Sequence, residues 1–245
     1  MAGNFSGKRV LVVGAGGLGC AAGWVLARSG VGRIDVADDD CVDESNLHRQ
    51  TLYRPEHVGQ PKATLAAEQL RAEAAAAGHG ITVVAREMRI LPDNAVPTVA
   101  DYDLVLEGAD NFASKFLVAD ACALAGVPVV QAGAVRWVGW ALAARPGRSA
   151  CLRCVFEDVP RGQQDTCALA GVVGPVVGVL GALQAALALR LLLGDENAPG
   201  VLWSYRALAG TLRQHSVSRQ TRCPLCSGLI RDTEMSRYAP PECAA

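Results

Sequence analysis

A glycine-rich turn near the start of the chain constrains the fold more than any other feature. The sequence GAGGLG at residues 14–19 directly follows a short apolar run at residues 10–13. In a G-x-G-x-x-G turn, the glycines permit tight geometry and let backbone N–H groups reach phosphate oxygens at the start of a helix. The pattern therefore predicts a buried strand, a phosphate-binding turn and a helix. Together with the acid Asp38 after the second predicted strand, it fits a dinucleotide and a mononucleotide equally well.

Short apolar runs alternate with helical segments through the first half of the chain. Further strands are predicted at residues 33–37, 81–85, 103–107 and 127–131, with helices between them. This alternation is typical of an α/β fold with a Rossmann-like, mainly parallel sheet and helices on both faces. We then expect a smaller antiparallel extension, with strands at 137–144, 201–205 and 211–217. The predicted organisation is a nucleotide-binding part at 1–135, a continuous antiparallel and crossover part at 136–230, and a tail at 231–245.

Composition excludes several classes of function. The 245 residues are 51% apolar and 19% charged, with a net charge of −1, so a large buried core is expected, without a nucleic-acid surface or a polybasic membrane patch. Nine cysteines and no secretory signal favour a reducing, cytoplasmic setting. Residues 168–189 carry no charge and are long enough to cross a bilayer. Their glycines recur at helical spacing, so we expect a buried or interface helix and no membrane span.

An acid and two cations are spaced as a triphosphate site requires. Asp38 follows the second predicted strand, where an acid commonly holds ribose hydroxyls. Arg49 comes next in the same loop, and Lys62 is expected to open the following helix. A cation in the first turn of a helix interacts unfavourably with the helix dipole, by about 0.3–1 kcal/mol. A bound anion would reverse this penalty. The chain has only three lysines among its 23 basic residues, so a lysine at position 62 points more strongly to a specific role. The alternative is that Arg49 and Lys62 are solvated surface charges.

Asp110 lies beyond the fourth predicted strand, where ligands bind in open α/β sheets. A carboxylate beside two phosphate-binding cations is a suitable Mg²⁺ ligand. The alternative is that Asp110 or Asn111 caps the helix that follows.

Four cysteines form two CxxC pairs: Cys151, Cys154, Cys223 and Cys226. Each pair offers two thiolates from one tight turn, which suits tetrahedral Zn²⁺; unrelated thiols are the alternative. Such a zinc would be structural and would tie the antiparallel extension to the C-terminal segment, because four thiolates leave no open position for substrate.

Cys167 follows Asp165 and Thr166, two residues that can cap a helix. Its thiol would then lie in a first helical turn, where the dipole favours thiolate. Two interpretations of Cys167 are therefore open: a catalytic thiol, or a small residue that packs in the core.

Together these motifs resemble the ThiF/MoeB/HesA family, relatives of the ubiquitin-activating enzymes. The segments GAGGLG, VADDD, SNLHRQTLY, GQPK, GADN, CLRC, DTCALAGVVGP and RCPLC follow that family's order over residues 10–228. The family adenylates the C-terminal carboxylate of a small ubiquitin-fold protein ending in Gly-Gly. The resemblance implies ATP, Mg²⁺ and structural Zn²⁺ as cofactors, such a carrier protein as partner, a homodimer, and subsequent sulfur transfer to a thiocarboxylate.

The resemblance also assigns roles by position. Asp38 would hold the ribose, Arg49 and Lys62 the phosphates, and Asp110 the magnesium. The implied catalytic set is Arg49, Lys62, Asp110 and Cys167, and the implied nucleotide-binding set is Gly14, Gly16, Gly17, Asp38, Ser45, Asn46, Arg49, Lys62, Asp110 and Asn111. No side-chain base is required, since the attacking carboxylate is already ionised near neutral pH.

The chain departs from the family pattern in three places. Members usually carry an N-terminal helical extension that gives an arginine to the partner's site, so we expect another residue to supply that charge or activity to be weaker. Glu107 stands where an aspartate is usual. No C-terminal rhodanese domain follows, so a separate sulfur-donor protein is expected.

Three other functions remain open. The protein could adenylate another carboxylate, that of a peptide terminus or of a small acid. It could also be a non-catalytic adaptor with the same fold. An NAD-dependent dehydrogenase would leave SNLHRQ, GQPK and the CxxC pairs unexplained. Within the lead function, carriers of thiamin, molybdopterin, cysteine, tRNA-thiolation and specialised-metabolite pathways fit equally.

Overall fold

The computed structural model describes residues 4–159 and 171–238, which contain one eight-stranded sheet. Its strands are β1 (Arg9–Val13), β2 (Arg33–Ala37), β3 (Thr82–Arg86), β4 (Leu104–Glu107), β5 (Val129–Val135), β6 (Val138–Ala144), β7 (Val201–Arg206) and β8 (Thr211–Ser216). The described α-helices are α1 (Gly17–Arg28), α2 (Lys62–Ala76), α3 (Ala95–Val99), α4 (Phe112–Ala125), α5 (Leu152–Phe156) and α6 (Gly174–Leu192). Short 3₁₀ turns lie at Glu44–Asn46, Pro55–His57, Ala207–Ala209 and Met235–Arg237.

The order of the strands is β3-β2-β1-β4-β5-β6-β7-β8. The first five pair in parallel, whereas β5 to β8 pair antiparallel. The predicted α/β fold with an antiparallel extension is therefore confirmed. The boundary at residue 135 stays a prediction, since β5 and β6 pair directly across it. The strand order reverses between β1 and β4, which is where open α/β sheets form a ligand crevice.

Helices cover both faces of the sheet, as predicted. One apolar core joins α1, α2 and α6 to the sheet, and a second joins α3, α4 and α5 to the opposite face. The strands in the centre of the sheet are buried on both sides; β4, for example, is buried throughout. Continuous apolar sequences such as VLVV at residues 10–13 of β1 follow from this double coverage.

Helix α6 is the one helix in the described ranges that is long and apolar enough to cross a membrane, and half of that window is buried. It packs closely on α1: a Cβ on Gly181 would lie 2.7 Å from Leu18 O. A Cβ on Gly174 would lie 2.5 Å from His48 O. These two glycines permit the close approach that their spacing predicts, and α6 is a core helix on the sheet. Gly178, in contrast, faces open space.

Two helix starts next to the predicted site have clear local causes. Pro61 is the N-cap of α2, so Lys62 opens the helix as expected. Asn111 is the N-cap of α4, and Gly126 ends that helix in the left-handed region with φ of 74°. Both starts follow directly on loops at the carboxyl edge of the sheet, and therefore face the crevice.

Candidate active site

A cavity of about 900 Å³ lies at the carboxyl ends of β1, β2, β4 and β5. Its volume is in the range of sites for drug-sized ligands and cofactors. All ten residues of the implied nucleotide-binding set line it: Gly14, Gly16, Gly17, Asp38, Ser45, Asn46, Arg49, Lys62, Asp110 and Asn111. The fold thus brings together residues that are almost a hundred positions apart in the sequence. Their individual roles stay predictions.

The glycine turn forms a cradle that side chains would fill. Gly14 has φ of 88°, and a Cβ on Gly19 would lie 1.9 Å from Gly14 O. A Cβ on Gly17 would lie 2.9 Å from Val177 Cγ2 and 3.0 Å from Arg49 O. Gly17 opens α1, and no side chain caps that helix. The N–H groups of its first turn are therefore suited to phosphate oxygens.

Asp38 joins the loop after β2 to the glycine turn. Its Oδ2 accepts a hydrogen bond from Ala15 N at 2.7 Å, and its Oδ1 accepts one from Asp40 N at 2.9 Å. Burial raises the pKa of Asp38, against the opposing effects of these two bonds and of Lys62. The carboxylate is therefore held in a fixed orientation beside the phosphate-binding turn.

The two predicted phosphate-binding cations are held by protein groups. Lys62 is buried, with 6% of its surface exposed, and its Nζ lies 2.9 Å from Asp40 Oδ2. Arg49 is half-buried and donates to Ser45 O at 3.2 Å and to Asn46 Oδ1. Lys62 is thus not a solvated surface charge. An anionic ligand in the cavity would compete with the exposed Asp40 carboxylate for its ammonium group.

The helix-capping alternative applies to Asn111 and leaves Asp110 for another role. Asn111 Oδ1 accepts a hydrogen bond from Ser114 N at 2.8 Å, which caps α4. Asp110 is exposed in the cavity wall, and its Oδ1 lies 3.5 Å from Asn111 Nδ2. An exposed carboxylate in a cavity that also contains basic side chains and a phosphate cradle is a suitable donor for Mg²⁺.

The predicted set missed several charged residues of the cavity wall, and Lys115 is the one of these that is buried. Lys115 lines the cavity from α4 and is 4% exposed. Its Nζ lies 3.1 Å from Glu107 Oε2, at the end of β4. Two sequence signals pointed to this pair: Lys115 is one of only three lysines, and Glu107 departs from the family's aspartate. Neither signal showed that the two side chains meet.

The four paired cysteines converge as the zinc prediction requires. Four of the Sγ–Sγ distances are 3.5–3.7 Å, and all four Sγ atoms lie within 4.8 Å of one another. Tetrahedral zinc with Zn–S bonds of about 2.3 Å separates its sulfurs by about 3.8 Å. Gln220 N also donates to Cys154 Sγ at 3.4 Å, which suits a thiolate ligand. The residues present therefore fit a structural zinc ion.

Cys167, with its expected capping residues Asp165 and Thr166, lies outside the described ranges. Its assignment as a catalytic thiol therefore stays a prediction.

Comparisons with known proteins agree with this geometry. The sequence matches the ThiF family over residues 4–225. It is 39% identical over 236 residues to a sulfur carrier protein adenylyltransferase of Thermus thermophilus, covering 94% of this chain and 86% of that protein. It is 36% identical to the sulfur carrier protein ThiS adenylyltransferase of Escherichia coli, covering 92% and 88%.

Other relatives are longer or more distant. The chain spans about half the length of relatives named adenylyltransferase and sulfurtransferase, 49% of MOCS3 from Xenopus laevis for example. The crystal structure of Escherichia coli MccB with ATP superposes with a TM-score of 0.77 at 21% identity, covering 91% of this chain and 67% of that one. At this identity, the likeness shows a shared fold alone. On the sequence matches, this chain belongs to the ThiF family.

Proposed function

We propose that this protein uses ATP to adenylylate the C-terminal Gly-Gly carboxylate of a small ubiquitin-fold sulfur-carrier protein. One observation carries the proposal: the cavity at the switch point of the sheet gathers the glycine cradle, Asp38, Arg49, Lys62 and Asp110. Relatives that match most of the chain are named sulfur carrier protein adenylyltransferases. The reaction prepares the carrier for thiocarboxylate formation, with sulfur supplied by a separate protein.

The chain's own residues meet the chemical demands of this reaction. A carboxylate oxygen of the carrier attacks the α-phosphorus of ATP, and the bond to the β-phosphate oxygen breaks, releasing pyrophosphate. Negative charge gathers on the phosphate oxygens, which the N–H groups of the glycine turn, Arg49 and Lys62 would stabilise. Asp38 would fix the ribose. Asp110 would hold Mg²⁺, which supplies further charge neutralisation when bound.

The partner proposal has support in the sheet next to the cavity. Val138 and Trp140 line the cavity. Val138 pairs with Arg206, and Trp140 pairs with Ser204, which pairs in turn with Arg213. Directly paired residues point to the same face, so these five residues form one surface, the extension face. Arg206 and Arg213 are exposed. The face therefore fits a carrier that has acidic groups around the base of its C-terminal tail.

Three further parts of the proposal concern the assembly, the zinc ion and the location of the protein. A homodimer with α6 at its interface agrees with an exposed apolar side of that helix, formed by Pro175, Val179, Ala182, Ala186 and Leu193 beyond its end. Zinc at the four cysteines agrees with their converging sulfurs. A cytoplasmic location agrees with this use of cysteine as a metal ligand.

ATP–pyrophosphate exchange tests the function. We expect exchange with Escherichia coli ThiS and none with ThiS shortened by its two C-terminal residues. The Asp110→Ala variant should lose Mg²⁺-dependent exchange, whereas Asp93→Ala, an exposed acid outside the cavity lining, should keep it. Full activity in Asp110→Ala would remove Asp110 from the site.

The same assay separates the alternatives. Exchange driven by a peptide or a small acid, without carrier, would favour the other carboxylate substrates. Absence of exchange with any substrate would favour the adaptor, and tight binding of a nicotinamide dinucleotide would favour the dehydrogenase.

A further inference from the structure

A buried polar network lies directly behind the proposed Mg²⁺ side of the cavity. Glu107 is fully buried at the end of β4. Its Oε1 accepts a hydrogen bond from Ala109 N at 2.6 Å. Its Oε2 accepts one from Lys115 Nζ at 3.1 Å and one from Gln131 Nε2 at 3.2 Å. The network thus joins β4, α4 and β5.

The remaining bonds of this network close it around one carboxylate. Lys115 Nζ also donates to Ala132 O, and Gln131 Nε2 also donates to Lys115 O at 2.9 Å. Burying an unpaired carboxylate is strongly unfavourable, so these donors are needed for Glu107 to remain charged. Burial raises the pKa of Glu107, while Lys115 and the hydrogen bonds oppose that effect.

Two contacts connect this network to the cavity. Ala109 directly precedes Asp110, so the bond from Ala109 N to Glu107 fixes the turn that presents the Asp110 carboxylate. Lys115 itself lines the cavity. An aspartate at position 107 would be one methylene shorter and would not span the same distance between the turn and Lys115. The glutamate therefore has a geometric reason in this chain.

The chain contains a second buried ion pair that lacks these connections. Asp120 and Arg153 are 0% and 3% exposed. Arg153 Nη2 donates to Asp120 Oδ2 at 2.8 Å, and Tyr238 OH donates to the same oxygen at 2.8 Å. None of these three residues lines the cavity. This pair is comparable in burial and bonding but forms no hydrogen bond with the turn at Asp110, which makes it a matched control.

We propose that Glu107 is a positioning residue for the Mg²⁺-binding turn, and that its pairing with Lys115 neutralises the ammonium charge in that wall. The inference rests on the proposed function, because it concerns how ATP and Mg²⁺ bind. Without the Glu107 charge, the Lys115 ammonium would be unpaired beside the metal side of the cavity. A divalent cation would then bind less readily there.

Glu107→Gln tests the charge directly, since it keeps the shape of the side chain. We expect the Mg²⁺ concentration that gives half-maximal binding of a non-hydrolysable ATP analogue to rise about tenfold. Binding of the analogue without Mg²⁺ should stay the same or become tighter. The double variant Glu107→Gln/Lys115→Met removes both charges and should return the Mg²⁺ dependence to within about twofold of wild type.

Asp120→Asn and the wild-type protein give the controls. Asp120→Asn should lower the unfolding temperature but leave the Mg²⁺ dependence unchanged. If Glu107→Gln folds with wild-type Mg²⁺ dependence, or if the double variant stays as impaired as the single one, the inference is wrong. If Glu107→Gln does not fold, the double variant decides. The proposal is wrong if the double variant needs more than about ten times the wild-type Mg²⁺ concentration for half-maximal binding of the analogue. A wild-type protein that binds neither nucleotide nor Mg²⁺ would instead refute the proposed function.

Discussion

At the scale of single residues, the raised pKa of Asp38 predicts how the affinity for an ATP analogue depends on pH. Burial is the main cause of the shift, so the folded protein takes up this proton at a higher pH than an ordinary aspartate. A protonated Asp38 offers one acceptor fewer to a ribose hydroxyl. Affinity for an ATP analogue should therefore be constant above this raised pKa and fall as the pH drops through it.

Binding measured between about pH 4 and pH 8 checks this expectation. Asp38→Asn should bind about tenfold more weakly and should lose the acid limb of the profile, since an amide does not titrate in this range. A wild-type profile parallel to that of the variant would show that another group is responsible for the pH dependence.

The residues of the site divide according to how they could be predicted. Asp38, Arg49 and Asp110 follow the ends of strands or lie in a single loop, so periodicity and motif order alone locate them. The contact between Glu107 and Lys115 depends on how β4 and α4 pack. No local pattern encodes that contact, and Gln131 joins it only because β5 lies beside β4.

At the scale of elements, the cysteine cluster should hold the antiparallel extension to the C-terminal segment. Cys151 and Cys154 lie at the start of α5, whereas Cys223 and Cys226 follow β8. Cys223→Ser should lower zinc from about one ion per chain to trace amounts. We expect a loss of about 2–3 kcal/mol in stability, which corresponds to a fall of about 5–10 °C in Tm.

Elemental analysis and thermal unfolding measure the two effects. Cys41→Ser is the matched control, because Cys41 is an exposed cysteine outside the cluster. Equal zinc content in both variants would contradict a zinc site at these cysteines.

The elements were predictable to different degrees. Strands and their order of appearance follow from short apolar runs, and the CxxC pairs mark their own turns. The boundaries near the site were less predictable: α4 begins at Phe112 because Asn111, and not Asp110, supplies the cap. Of the glycines in α6, sequence spacing could not separate Gly181, which contacts α1, from Gly178, which faces open space.

At the scale of the whole molecule, the continuous sheet connects the cavity to the extension face. The parallel strands carry the side of the cavity that contains the glycine turn, and β6 carries its other wall. Because β6, β7 and β8 pair in register, the path from Trp140 to Arg213 crosses only three strands. The sequence predicted the antiparallel strands but not their register. Which side chains continue from the cavity onto the surface could therefore be known only from the structure.

The docking role of this face is testable by charge reversal. Arg206→Glu/Arg213→Glu should raise the KM for Escherichia coli ThiS by about 10–100-fold at low salt, because steering by complementary charge is lost. The KM for ATP should stay unchanged, since neither arginine lines the cavity. Arg54→Glu/Arg71→Glu reverses two exposed arginines elsewhere and has the same net charge as the first double variant. The difference between the two variants in the KM for ThiS should become smaller as ionic strength rises. An equal rise in the KM for ThiS in both would assign the effect to total charge and remove the extension face from carrier docking.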